Sequence, residues 1–168
     1  GLDDLRISGS GQFSDRQFDA LVHELRKKTK GPVYDVDLRQ ESHGFCNGTA
    51  VSWYGRHDWG NIGKSQADVL ADEQQRLQNA LGTDVTVYDQ GKGDLPIHPR
   101  TLSVRRVQTE QELAERKGIH YVRLASTDHL WPKPGEIDRF LAFVRTLPAD
   151  AWLQFHCQAG AGRTTAYM

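Results

Sequence analysis

The last third of the sequence alternates strand-like and helix-like segments, and this alternation restricts the possible folds more than any other feature. The helical segment TEQELAERKG is followed by the apolar strand IHYVRLAS, then by the helical segment PGEIDRFLAFVRTLP and the strand AWLQFHC. Alternation of this kind predicts a parallel sheet with helices on its faces. Such sheets bind ligands at the carboxyl ends of their strands, so the residues after each strand are the candidates for a site.

The first two thirds of the sequence follow a different pattern. Ser14 and Gln17 form a capping box for the helix in SDRQFDALVHELRKK, PVYDVDLR predicts a strand, and SQADVLADEQQRLQNALG predicts a second helix. The segments TDVTVYD and TLSVRRVQ flank the turn-rich QGKGDLPIHP, which predicts antiparallel strands around a Gly/Pro loop. We expect one α/β domain over residues 1–168, with a mostly parallel central sheet flanked by helices. A small embedded β element, a partial barrel, is expected within residues 48–108.

Composition narrows the class of protein. The 168 residues have the size of one domain, and 21 Lys and Arg against 22 Asp and Glu give a net charge of −1. This balance does not favour a nucleic acid or an anionic membrane as partner, and no apolar run is long enough for a membrane span. Cys46 and Cys157 form no CxxC pair, which argues against a zinc ribbon or a disulfide scaffold. A disulfide between them is an open alternative that would silence the thiol of Cys157.

The segment HCQAGAGRTT, after the last predicted strand, has the features of an anion site. A strand that enters a glycine-rich turn and then a helix directs backbone N–H groups and the helix dipole at one point. We expect a phosphate group there, bound by the loop residues Gln158, Ala159, Gly160, Ala161 and Gly162. Gly160 and Gly162 allow unusual dihedrals and a close approach of the backbone to the ligand.

The same segment predicts a nucleophile and its partners. The positive field that binds phosphate also lowers the pKa of Cys157, so the thiolate forms at neutral pH. Arg163 presents a planar fork that can hold a phosphoryl group through two parallel hydrogen bonds. Thr164 can donate a hydrogen bond to the sulfur. These residues together predict phosphoryl transfer through Cys157.

Two other interpretations of this segment explain less. A nucleotide-binding P-loop requires a lysine after its last glycine, and none follows here. A buried cysteine before an ordinary glycine turn explains Cys157 alone. It does not explain the complete pattern His-Cys-x5-Arg-Thr between a strand and a helix, so we favour the phosphate site.

The segment HCQAGAGRTT resembles the signature loop of cysteine-dependent phosphatases of the protein-tyrosine-phosphatase type. Together with DLRQESHGF, AVSWYG and STDHLWPKPGEIDRF, it is similar to the phytases of that superfamily, which dephosphorylate myo-inositol hexakisphosphate. The resemblance extends from Arg6 through most of the chain. It implies a protein-tyrosine-phosphatase-like fold, a phosphocysteine intermediate, a highly phosphorylated small molecule as substrate, and no metal or other cofactor.

The resemblance also implies residue roles. Cys157 becomes the nucleophile, Arg163 the phosphate clamp, and Asp128 the general acid that protonates the leaving alkoxide and later activates water. We expect Asp128 at the end of a strand beside the one that carries the cysteine. His129 either contacts a substrate phosphate or is an ordinary loop residue. His156 either orients the loop or is a satisfied core histidine.

In the relatives implied by the resemblance, basic side chains receive the phosphates that are not being cleaved. Candidates in or near turns are Arg6, Arg39, Arg56, Lys64, Lys92 and Lys133. Lys92 is favoured because flanking glycines give its loop access to a pocket, and Arg6 is expected to contact substrate as well. Asp58 either binds a ring hydroxyl or caps a turn. The stretch DLRQESHGF is expected to support the floor of the pocket.

Two rival functions are open alternatives. The first rival is a phosphotyrosine or phosphoinositide phosphatase, and the second is a catalytically silent phosphate-binding module.

Because the chain begins at Gly1, we expect that an initiator methionine and a signal peptide were removed, as in a secreted or periplasmic bacterial enzyme. The family pattern continues beyond the signature loop, so we expect C-terminal helices to be missing after Met168.

Overall fold

The structure is a computed structural model that describes residues 4–168, so Gly1 and the expectation attached to it lie outside the described residues. In chain order the elements are β1 (Ile7–Ser10), α1 (Asp15–Lys28), β2 (Val33–Arg39), β3 (Ser42–Cys46), β4 (Thr49–Trp53), α2 (Gln66–Ala80), β5 (Asp84–Gln90), β6 (Pro96–Ser103), β7 (Val107–Gln108), α3 (Glu110–Arg116), β8 (His120–Ser126), α4 (Pro134–Val144), β9 (Trp152–His156) and α5 (Gly162–Tyr167). Short 3₁₀ turns cover Arg56–Asp58 and Lys92–Asp94.

Within residues 4–168 the central sheet has four strands in the order β1-β9-β2-β8, and every neighbouring pair is parallel. This confirms the predicted parallel sheet. The sequence does not predict β1, because ISGS contains a single large apolar residue. The expectation that the strand of Asp128 lies beside the strand of Cys157 is wrong, since β2 separates β8 from β9. The segment after β2 therefore lies between the two strand ends that carry the predicted catalytic residues.

The predicted helix starts are confirmed by their hydrogen bonds. Ser14 and Gln17 form a reciprocal capping box at the start of α1, and Thr109 and Glu112 form another at the start of α3. The Ser65 hydroxyl accepts from the backbone N–H of Asp68 at the start of α2. These caps satisfy backbone donors that the first helical turn leaves without a partner.

Apolar residues pack on both faces of the central sheet. The cluster beside α1 and α3 includes Phe13, Phe18, Leu25, Val33, Phe45, Leu113 and Trp152. The cluster beside α4 and α5 includes Val36, Leu38, Leu124, Leu153, Phe155 and Tyr167. None of the described helices is both long and apolar enough to cross a membrane.

The β element consists of two small antiparallel sheets. One has the order β4-β3-β7, and the other is the β5–β6 hairpin. The hairpin differs from the prediction, because β6 begins at Pro96 and Val107–Gln108 pairs with β3 instead of β5. Proline is tolerated here because each strand of a two-stranded ribbon has an unpaired edge. The turn is thereby reduced to the residues around Lys92–Asp94.

Candidate active site

The phosphate loop, residues 157–163, connects β9 to α5 at the carboxyl edge of the sheet. Gly160 has φ 74° and lies against the backbone after β1, where an added Cβ would be 2.4 Å from the nitrogen of Gly11. This position therefore requires glycine. Gly162 differs from the expectation, because its φ is not positive and it is the first residue of α5. Cys46 and Cys157 are both free, so the disulfide is not formed.

Cys157 is buried at the base of the loop, with 2% of its surface exposed. The Thr164 hydroxyl donates to its sulfur over 3.1 Å, as the sequence predicts. Burial opposes ionisation, but this hydrogen bond, the backbone N–H groups of Thr164 and Gly160 and the charge of Arg163 outweigh it, so the pKa of Cys157 is lowered. A lowered pKa makes the thiolate available as a nucleophile near neutral pH.

Arg163 is held by a carboxylate that the sequence analysis did not single out. Its Nη1 and Nη2 atoms donate to the two oxygens of Glu41 over 2.7 and 2.9 Å, and Nη1 also donates to the backbone oxygen of Ser126. Glu41 belongs to DLRQESHGF, and it follows β2, the strand between β8 and β9. Burial raises the pKa of Glu41, but the charges and hydrogen bonds of Arg39 and Arg163 outweigh this effect and lower the pKa to about 2. The clamp therefore has a fixed, ionised support.

Asp128 lies against the same arginine, from the loop after β8. Its Oδ1 atom is 3.1 Å from Nε of Arg163, and the indole N–H of Trp59 donates to its backbone oxygen over 3.0 Å. His129 has φ 60° and an exposed side chain, and its Nε2 atom is 3.6 Å from Oδ2 of Asp128. The structure thus brings Cys157, Arg163 and Asp128 together from strands that are not neighbours.

Asp58 is a second carboxylate near the clamp. It is buried in the turn at Arg56–Asp58, and its Oδ2 atom is 3.5 Å from Nη2 of Arg163. Burial raises its pKa to about 7, and the nearby charge of Glu41 contributes in the same direction. Asp58 can therefore exchange a proton or donate a hydrogen bond near neutral pH.

A group of buried ionic side chains lies beneath the loop, and we call it the buried charge network. Its members are Asp35, Asp37, His43, Glu73, Glu110, Arg123 and His156. Nε2 of His156 is 2.5 Å from Oε1 of Glu110, and Nε2 of His43 is 3.0 Å from Oδ2 of Asp37. Despite burial, which opposes protonation, the neighbouring carboxylates raise the pKa of His156 to about 10 and that of His43 to about 9.

Two triads in this network bring ligand-type atoms within 4.8 Å of one another. They are Asp35 with Glu110 and His156, and Asp37 with His43 and Glu110. A metal ion requires a neutral imidazole with a free lone pair. Because both imidazoles are protonated and paired with carboxylates, these triads fit charge-paired structural clusters better than metal ligands.

Of the residues predicted to contact the substrate outside the phosphate loop, Lys92 lies near this loop and Arg6 does not. Lys92 is exposed in the turn of the β5–β6 hairpin, and this hairpin is joined to the phosphate loop by a hydrogen bond from Gln158 to Gln90. The structure does not bring Arg6 to the site: it precedes β1 at the opposite edge of the sheet and donates to the backbone oxygen of Ala149. Its assignment to substrate binding is corrected on this ground, because Cys157 follows the other end of β9.

The other basic candidates differ in their surroundings. Arg39 is buried and paired with Glu41, and Lys64 is paired with Asp72. Arg56 and Lys133 are exposed.

A family model for PTP-like phytases, described as inositol hexakisphosphate, matches residues 36–168, well over half of the chain. The matched region includes the phosphate loop, Glu41, Asp58 and Asp128. The chain belongs to the PTP-like phytase family. Family membership confirms the resemblance and the α/β fold with a mostly parallel sheet that the sequence predicts.

This PTP-like phytase domain is similar to several solved structures. The tandemly repeated protein tyrosine phosphatase like phytase from Mitsuokella multacida is 54% identical, with a TM-score of 0.96 over 100% of this chain and 28% of that chain. The PTP-like myo-inositol phosphatase from the same organism, solved with myo-inositol-(1,3,4,5)-tetrakisphosphate, gives the same identity, TM-score and coverage. A PTP-like phytase from Bdellovibrio bacteriovorus is 36% identical, with a TM-score of 0.79 over 97% of this chain and 57% of that chain.

A curated relative has a different description. The effector protein hopD2 of Pseudomonas syringae pv. tomato is 34% identical over 175 residues, which covers 100% of this chain and 36% of the relative. The PTP-like phytase domain therefore spans about a third of this relative's length.

Proposed function

We propose that this chain is a cysteine-dependent phosphatase that hydrolyses phosphate monoesters of myo-inositol hexakisphosphate and of lower inositol phosphates. The observation that carries the proposal is the convergence of three groups at one sheet edge. Cys157 has a lowered pKa, Arg163 is oriented by both oxygens of Glu41, and Asp128 lies 3.1 Å from Nε of that arginine. These groups supply a nucleophile, an anion clamp and a proton donor.

The first chemical step forms a phosphocysteine. The thiolate of Cys157 attacks phosphorus, an S–P bond forms, and the bond between phosphorus and the inositol oxygen breaks. The bond's electrons leave with that oxygen, which takes a proton from Asp128 as it departs. Because an alkoxide is a poor leaving group, this proton transfer is expected to contribute roughly 10²–10⁴-fold. Arg163 and the loop N–H groups balance the charge on the phosphoryl oxygens.

The second step releases phosphate. Water gives a proton to the Asp128 carboxylate and attacks phosphorus, so that an O–P bond forms and the S–P bond breaks. The electrons of the S–P bond return to sulfur and regenerate the thiolate of Cys157. The Thr164 hydroxyl, which donates to this sulfur over 3.1 Å, stabilises the departing thiolate. Thr164 therefore assists the second step more than the first.

The substrate class is supported by the family and by a relative. The family model is described as inositol hexakisphosphate, and a 54% identical structure holds an inositol tetrakisphosphate. Lys92, on the exposed hairpin turn beside the loop, is proposed to contact a phosphate that is not being cleaved. His129 is proposed to contact another, and Asp58 a ring hydroxyl. The secreted or periplasmic location stays a prediction.

The direct test compares three substrates with the purified chain. Phosphate release from inositol hexakisphosphate is measured beside release from para-nitrophenyl phosphate and from a phosphotyrosine peptide. We expect kcat/KM to be highest for inositol hexakisphosphate. A preference for the phosphotyrosine peptide would replace the proposed substrate by the first rival. Substrate binding without turnover of any of the three would support the silent phosphate-binding module.

A further inference from the structure

The acid loop, residues 127–133, connects β8 to α4 and carries Asp128, the proton donor of the proposed function. Its backbone conformation is unusual, because His129 has φ 60°, in the left-handed region that few residues other than glycine adopt. A backbone in such a conformation persists only where its surroundings hold it there. The contacts of the acid loop therefore decide where the carboxyl group of Asp128 lies.

Trp59 holds this loop from another part of the chain. The indole N–H of Trp59 donates to the backbone oxygen of Asp128 over 3.0 Å. Within residues 4–168, no other side chain makes a hydrogen bond to the backbone of Asp128. The Oδ1 atom of the same residue is 3.1 Å from Nε of Arg163. Asp128 is thus fixed at its backbone by Trp59 and at its side chain by the phosphate clamp.

The chain after Trp59 is anchored beside the support of the clamp. Asn61 is buried, and its side-chain amide donates to the backbone oxygen of Gln40 over 3.1 Å and to the hydroxyl oxygen of Ser42 over 2.8 Å. Gln40 and Ser42 flank Glu41, whose two oxygens hold the clamp arginine. The acid loop and the clamp are therefore positioned from the same short stretch of chain, residues 40–42.

The turn before Trp59 is anchored as well. His57 and Asp58 both have φ 58°, so this turn also depends on its contacts for its conformation. The backbone N–H of His57 donates to Oδ2 of Asp94, in the turn of the β5–β6 hairpin, over 2.9 Å. The imidazole of His57 meets that of His129 edge to face, with ring centroids 5.5 Å apart. Contacts on both sides of Trp59 therefore fix its indole against the acid loop.

We propose that Trp59 is a positioning residue for the general acid, whose indole N–H holds the acid loop against Arg163 in the free protein. The proposal rests on the role that the proposed function gives to Asp128. A proton donor that is already in place need not be carried to the site by a loop movement, and a misplacement of about 1 Å can cost roughly 10²-fold in rate. Because Trp59 acts through Asp128, its hydrogen bond matters for the step that needs the proton.

The test uses Trp59→Phe, which keeps an aromatic ring and removes the N–H. Phosphocysteine formation is measured as the burst of the first product from inositol hexakisphosphate and from para-nitrophenyl phosphate. We expect the burst rate to fall about threefold to tenfold for inositol hexakisphosphate, as for the loss of one hydrogen bond. The burst rate for para-nitrophenyl phosphate should be unchanged, because its leaving group hardly needs a proton. Equal losses for the two substrates, or no loss for either, would overturn the proposal.

The acid loop itself offers the matched control. Trp131 lies in this loop and is 87% exposed, so Trp131→Phe makes the same substitution without removing the contact to Asp128. We expect both burst rates to be unchanged in this variant, and a selective loss equal to that of Trp59→Phe would remove the assignment to Trp59. If the unaltered chain does not hydrolyse inositol hexakisphosphate, the proposed function fails. Phenyl phosphate, whose leaving group is more basic than para-nitrophenolate, then takes its place in the same comparison.

A measurement on the unaltered chain requires no turnover and no variant that folds. Hydrogen exchange of the indole N–H groups is followed by NMR. Trp152, which donates to the Ser8 hydroxyl oxygen over 2.8 Å, is the protected reference, and the exposed Trp131 is the other. We expect the N–H of Trp59 to exchange about tenfold or more slowly than that of Trp131, with and without bound vanadate. Exchange as fast as that of Trp131, or slow exchange with vanadate alone, would mean that the free protein does not hold the loop and would overturn the proposal.

Discussion

The phosphate loop and the buried charge network meet where His156 precedes Cys157, but they are built in opposite ways. The loop is one continuous stretch, and its decisive contact joins Thr164 to Cys157 over 3.1 Å, seven positions apart. The network joins distant segments, as in the 3.2 Å contact between Arg123 and Glu73, fifty positions apart. The comparison teaches that the reactive groups are locally encoded, whereas the charges that orient them depend on the complete fold.

Two residues connect the regions. His156 precedes Cys157 in the chain, and its buried imidazole is paired with Glu110 of α3. Glu41 holds Arg163 of the loop on both carboxylate oxygens, and its backbone oxygen accepts a hydrogen bond from Nη2 of Arg123 in the network. The loop is therefore supported by buried ion pairs. Removing one partner of such a pair costs more than the pair contributes, because an uncompensated charge stays behind.

The largest effect is expected from removing the nucleophile. Cys157→Ser should lower turnover of inositol hexakisphosphate by roughly 10⁴-fold or more, because the hydroxyl is not ionised near pH 7. Substrate affinity, measured by calorimetry, should change little, since the loop N–H groups and Arg163 remain. Turnover near that of the unaltered chain would eliminate the phosphocysteine mechanism.

The second effect tests the support of the loop. Glu41→Gln should destabilise the chain by about 3–5 kcal/mol, because Arg163 and Arg39 lose a shared buried carboxylate. The same substitution in an exposed pair provides the control: Glu24→Gln removes the partner of Lys27 on the surface of α1 and should leave stability unchanged within error. Urea unfolding of both variants measures the difference, and equal results would mean that the loop does not depend on Glu41.

The sequence predicts the loop better than its support. Cys157, Arg163 and Thr164 follow from one motif, and the predicted parallel sheet places Asp128 at the same edge. Asp35 and Asp37 alternate with apolar residues in β2, which is the pattern of a strand with one face in water, but both are fully buried. Only the fold brings them to His43, His156 and Arg123.

The order of the strands could not be predicted from the sequence for a related reason. The polar ISGS of β1 carries no periodic signal, yet this strand pairs with β9 along its whole length. Parallel pairing is decided by helices and loops that return the chain to the sheet, so local pattern does not determine which strand lies at its centre. The position of Glu41 between Asp128 and Cys157 follows from that order. For this reason the sequence analysis does not single out Glu41.

The third prediction separates proton donation from pocket shape. Asp128→Asn should slow phosphocysteine formation from inositol hexakisphosphate by roughly 10²-fold, because the alkoxide then leaves without a proton. Para-nitrophenolate is a stable anion, so its burst should be affected much less. Burst amplitudes and rates are compared, since the same residue also activates water in the later step. Equal losses for both substrates would move the acid elsewhere, with His129 the next candidate.

The last prediction concerns the charge state of the network. The pKa values of His43 and His156 are raised to about 9 and about 10 in the folded chain, from an ordinary value of 6.5. Both imidazoles bind protons more tightly when folded, so their stabilising contribution is complete below pH 6.5 and is lost as the pH rises through 9 and 10. Between pH 7.5 and 8.5 the free energy of unfolding should fall by about 1.4 kcal/mol for each imidazole that is protonated only in the folded state.

Three other groups affect this fall. Burial raises the pKa of Asp35 well above its ordinary value, so this carboxyl acts in the same direction as the imidazoles. The lowered pKa of Cys157 acts in the opposite direction, because a thiolate favoured by the fold adds stability as the pH rises. Urea unfolding is therefore followed in Cys157→Ser, where that titration is absent. Asp58, with a pKa of about 7, has lost most of its proton above pH 7.5. A flat or rising profile in this variant would mean that both imidazoles are neutral in the fold. The buried charge network would then be held by neutral hydrogen bonds. Because a neutral imidazole has a free lone pair, the two triads would again be candidate metal ligands.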